Sequence, residues 1–101
     1  MTYIEELQGV IRKLHGVHST HIQCVPVTEQ HAGQTIWDGI VEVFELHGHP
    51  KATHAYAWTH DTDDPEHPRR SVTVLKIPPA VSPESAVRVA IMQELSDAET
   101  A

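Results

Sequence analysis

Nine histidines in a chain of 101 residues are the side chains best suited to chemistry. His15, His18 and His21 recur at every third position, and His47, His49, His54, His60 and His67 gather around one end of the predicted sheet, with Asp61, Asp63 and Asp64 as nearby oxygen donors. Neutral imidazole binds zinc well, but a zinc site needs three or four donors converging in tetrahedral geometry. No pair has the spacing of a helical His-Glu-x-x-His motif, and His15 to His21 straddles the end of a predicted helix. The simpler reading is surface histidines in turns and on an exposed strand face. The chain is expected to fold with no metal and no cofactor.

Nucleophilic chemistry is as poorly supported. With 14 acidic residues beside the histidines, His–carboxylate neighbours are inevitable. Yet none of Ser19, Ser71, Ser82, Ser85, Ser96 or Cys24 sits in a nucleophile-elbow pattern. Cys24, the only cysteine, reads as a small apolar core residue and fits a reducing compartment. A chain this short also has little room for a deep pocket. No enzyme activity is expected.

The charge limits the partners. A net charge of −7 with neutral histidines disfavours a nucleic-acid backbone or an anionic membrane and leaves protein as the expected partner. Protonation of every histidine would move that charge to +2, most of it between pH 7 and 5. No apolar run approaches the roughly 18 residues of a membrane span, and the acidic N-terminus is unlike a signal peptide. A cytoplasmic location is expected.

The elements that must position these residues are legible. Thr2 and Glu5 have capping-box spacing, and Ile4, Leu7, Ile11 and Leu14 recur at helical spacing to His15, with Gly16 as the stop. Ser19–Thr28 reads as a strand in which Pro26 implies an edge position or a bulge. Gln30–Gly33 reads as a hairpin turn, and Thr35–Leu46 as the longest strand, with Asp38-Gly39 as its candidate bulge. His54–Asp61 and Arg70–Ile77 read as two further strands. Ser82 then caps a helix with Pro83 at its first position and Ala86, Val87, Ala90, Ile91 and Leu95 as its buried stripe. The tail after Ser96 is expected to fray.

These elements predict a single α+β domain over 1–101. The economical form is a two-layer sandwich: an antiparallel sheet of three to four strands, with the N- and C-terminal helices packed on one face. That arrangement leaves one sheet face wet, yet large apolar residues occur on both strand faces. Trp37, Val41 and Val43 alternate with Ile40, Phe44 and Leu46, while His54, Tyr56, Trp58 and His60 share a face opposite Ala55 and Ala57. Trp37, His54, Tyr56, Trp58 and His60 are therefore the candidate binding residues, either as a homodimer surface or as core.

The helix–three-strand–helix order resembles the double-stranded-RNA-binding domain in topology alone. That resemblance implies lysines at the start of the second helix, where this chain has Ser82-Pro83-Glu84-Ser85. The departure and the acidic total disfavour RNA. The expected function is a small interaction protein that self-associates through an open sheet face, and the alternative is a ligand- or metal-binding module at the histidine-rich sheet end.

Overall fold

The computed structural model describes residues 2–62, 64–66 and 68–100, with backbone alone described beyond Gln93. Helix α1 (Tyr3–His15) is followed by strands β1 (His18–His31), β2 (Gln34–His47), β3 (His54–Asp61) and β4 (Arg69–Leu75), and then by helix α2 (Pro83–Thr100). The strands form one antiparallel sheet in the order β1-β2-β3-β4. The α+β class and the helix–sheet–helix order match the sequence reading. No described helix is long and apolar enough to cross a membrane.

Local chemistry sets the boundaries. Thr2 Oγ1 accepts from the Glu5 amide at 3.1 Å and the Glu5 carboxylate returns toward the Thr2 amide, completing the capping box. Gly16 ends α1 at φ 74°, a conformation that costs a residue with a Cβ. Ala32 and Gly33, both at positive φ, make the two-residue turn between β1 and β2. Ser82 and Ser85 exchange side-chain-to-amide bonds of 3.2 and 2.8 Å at the start of α2. The α2 backbone is helical to Thr100, past Ser96. Leu14 is exposed, which narrows the buried stripe of α1 to Leu7 and Ile11, with Tyr3 and Ile4 at its edge.

The position of α2 differs from the sequence expectation. The helices cover opposite faces of the sheet, not one. Helix α1 packs on Phe44, Leu46, Ala55, Ala57 and Leu75. On the other face, Val27, Val41, Val43, Tyr56 and Trp58 pack with Ala86 and Val87 of α2. This explains the apolar residues on both strand faces: each face has its own helix, and central β3 is buried on both sides. An ion pair of 2.6 Å from Arg88 Nε to the buried Glu29 ties α2 to β1.

On the α1 side, coverage stops short of the β1–β2 hairpin tip. Strand β2 bonds β3 only across Glu42–Glu45, so the sheet splays and residues 34–41 of β2 have a strand partner on one side only. Two register shifts shape the hairpin. One leaves Ile22 as an extra residue in β1 and the other leaves Ile36 as an extra residue in β2. Neither falls at Asp38-Gly39, where the sequence suggested one. Gly39 has another reason: the Trp37 indole lies over it, and a Cβ there would sit 3.0 Å from the ring. Pro26 lies on edge strand β1, as expected of a residue that cannot donate to a ladder.

Candidate functional site

The five aromatic and histidine positions singled out from sequence come together only in part. Tyr56 and Trp58 are core: Trp58 is 2% exposed beneath α2, and Trp37 packs edge-on against it at 5.7 Å. Burial pushes the Tyr56 hydroxyl pKa up, and nearby Glu84 adds to the shift. Trp37, Trp58 and His60 do meet, around a cavity of about 90 Å³ closed by Val72 and by Val87, Ala90 and Ile91 of α2. That volume is well below the ~300 Å³ at which small-molecule pockets begin. His54 sits at the start of the strand, hydrogen-bonded to Thr53 at 2.8 Å.

Three other histidines, His15, His47 and His49, hold the fold's own turns and edges. His49 Nδ1 accepts from the amides of Lys51 and Ala52, both at 3.1 Å, and so shapes the β2–β3 connection. His47 bonds Thr20 across the hairpin at 2.6 Å. His67 and Asp63 lie outside the described residues. His15 bonds Thr73 at 2.8 Å, joining α1 to β4. Its pKa falls below the ordinary 6.5, first because of burial and second because His49 is near.

The His15 shift fixes a sign. A histidine with a depressed folded pKa binds protons more readily when unfolded. Its contribution to stability is complete above the ordinary value of 6.5 and is lost as the pH falls below it. Melting curves from pH 7.5 to 5.5 should therefore show a steeper loss for wild type than for His15→Gln, which can still bond Thr73. Equal slopes would remove His15 from the acid response.

A different cluster gathers chemistry. His21, Cys24 and Glu42 bring one potential ligand atom each to within 4.8 Å of one another. His21 Nε2 is 2.8 Å from Glu42 Oε1 and 3.7 Å from Cys24 Sγ. The bulge at Ile22 makes this possible. In regular alternation His21 and Cys24, three positions apart, would face opposite sides of β1. With one residue extra, His21 pairs Phe44 and Cys24 pairs Glu42, which share the α1-side face. Phe44 holds the His21 ring edge-on at 5.3 Å. Cys24 is exposed, so the expectation of a core thiol is corrected: its β1 neighbourhood lies beyond the cover of α1.

The triplet is not a nucleophile triad. In a triad the histidine turns one ring nitrogen to the nucleophile and the other to the acid. Here thiol and carboxylate both approach Nε2. The Cys24 thiol pKa is also raised, chiefly by its hydrogen bond to Glu42, which opposes thiolate formation. Glu42, only 4% exposed, is a buried carboxylate held by an imidazole and a thiol. Sequence reading missed this group because its ligands come from two strands and one depends on a bulge with no glycine to mark it. Comparison with protein-family models, with curated proteins and with solved structures finds no match to this chain.

Proposed function

We propose that this chain is a non-catalytic interaction protein that self-associates through the uncovered half of the β1–β2 hairpin. The observation that carries this reading is the pairing of Pro26 with Ile40 on the α1-side face, beyond the reach of α1. Ile40 is 49% exposed, as is Ile22 at the bulge. Open apolar area beside a one-sided stretch of β2 suits a second copy of the same hairpin, by face packing or strand addition. The sheet face used is smaller than the sequence suggested, because α2 covers the aromatic side. The single cysteine and the acidic composition favour a cytoplasmic setting for this association.

Sedimentation equilibrium tests the proposal. Wild type should behave as a dimer that tightens with added salt, since screening relieves repulsion between two chains of charge −7. Ile40→Glu should give a folded monomer with unchanged circular dichroism, because the new charge faces solvent. A wild-type protein that is monomeric at millimolar concentration would end the idea.

A further inference from the structure

We infer that His21, Cys24 and Glu42 form a zinc(II) site, with His21 Nε2, Cys24 Sγ and a Glu42 carboxylate oxygen as ligands and a fourth position open to water. A tetrahedral zinc ion with ordinary bond lengths sets its N and S donors about 3.6 Å apart and its N and O donors about 3.3 Å apart. The imidazole and thiol already stand at 3.7 Å. The imidazole and carboxylate, at 2.8 Å, are closed onto each other by a hydrogen bond. Opening that contact by about half an ångström, and setting the thiol and carboxylate, already within 4.8 Å, about 3.6 Å apart, brings the three donors to tetrahedral spacing. Three protein ligands with one solvent-facing position is the pattern of an accessible zinc ion, and the exposure of Cys24 supplies the opening.

Charge balance favours the same ion. Binding transfers the thiol proton to solvent as Sγ bonds the metal, leaving thiolate, carboxylate and neutral imidazole around a dication. The assembly is neutral. It therefore compensates the buried Glu42 carboxylate, which has no lysine or arginine among the described ion pairs. A thiolate–imidazole–carboxylate set also suits zinc better than calcium or magnesium, which prefer oxygen donors alone. The ligands stand on strands already fixed by the core, so the ion binds the folded chain and is not needed to fold it. All three protein ligands come from one chain, so the site is testable in the Ile40→Glu monomer as well as in wild type.

The experiment is a metal titration of the chelator-stripped full chain, with zinc(II) and with cobalt(II) as the spectroscopic probe. One equivalent of cobalt should produce a thiolate-to-cobalt charge-transfer band in the near ultraviolet, and zinc should displace it. Cys24→Ser, a change at an exposed position, should abolish the band and weaken zinc binding at least about 10-fold. Glu42→Gln should keep the band but weaken binding to a similar degree. If Glu42→Gln fails to fold, the Cys24→Ser comparison decides alone. Absence of binding would overturn the proposal, and so would metal bound without the band and with equal affinity in Cys24→Ser, which would place the ion on other histidines.

Discussion

Trp58→Glu should leave the chain largely unfolded at neutral pH. Trp58 is 2% exposed, packed between Trp37, Val72 and the underside of α2. Removing an indole from such a site costs about 3–5 kcal/mol in lost burial and cavity formation. The carboxylate adds several more for burying a charge, or it takes up a proton at a similar cost. Domains of this size are typically stable by about 5–15 kcal/mol, so the change removes most or all of that margin. Far-ultraviolet circular dichroism and urea titration provide the check. A folded, soluble monomer would mean that Trp58 faces a partner and not α2. The contrast with Ile40→Glu is the informative part: the same new side chain, on opposite faces of the sheet, should unfold the chain in one case and release a folded monomer in the other.

The sequence carried the local signals well and the tertiary ones less well. Thr2 with Glu5, Gly16, the Ser82-Pro83 start and the alternation of Tyr56 and Trp58 with Ala55 and Ala57 are short-range features, decided by capping and by the two-residue period of a strand. Which face each helix takes is another matter. Apolar residues on both faces of β3 were visible, but they fit a second helix as well as a second subunit, and alternation alone does not separate the two. The Ile22 and Ile36 bulges were invisible for a related reason. A bulge is chosen by pairing across the hairpin, and here isoleucines occupy both positions where a glycine might have marked one. Asp38-Gly39 drew attention instead, although that glycine serves the close approach of Trp37.

The same limit hid the candidate site. Counting histidines pointed to the sheet end where they are most numerous, yet His47, His49 and His54 bond neighbouring threonines and amides there. The group with convergent donors contains one histidine, and its members are distant in sequence or out of phase on the strand. Residue counts measure supply. Convergence depends on register, and a one-residue shift moves a side chain to the other face.

Phe44→Ala should cost about 3–5 kcal/mol, the second largest loss expected of a single substitution here. Phe44 is fully buried on the α1 side among Leu7, Ile11, Ala55 and Ala57. On the β3 side the neighbours are Ala55 and Ala57, too short to fill the space the ring leaves. Relaxation would have to come from α1 settling toward the sheet, which its connection at Gly16 and the bond from Gln8 to the Ser19 carbonyl at 2.9 Å oppose. The cost should therefore fall toward the upper end of the range. Urea denaturation gives the number, and an unchanged m-value would show that the native and denatured states kept their exposed surfaces. Phe44 also supports the His21 ring, so the substitution separates two roles of one residue. Phe44→Leu should recover most of the stability, because it refills the cavity, while leaving His21 without its edge-on partner. If Phe44→Leu and Phe44→Ala were equally unstable, the ring would matter for its shape rather than its volume, and the account of the α1 interface as a volume-limited core would fail.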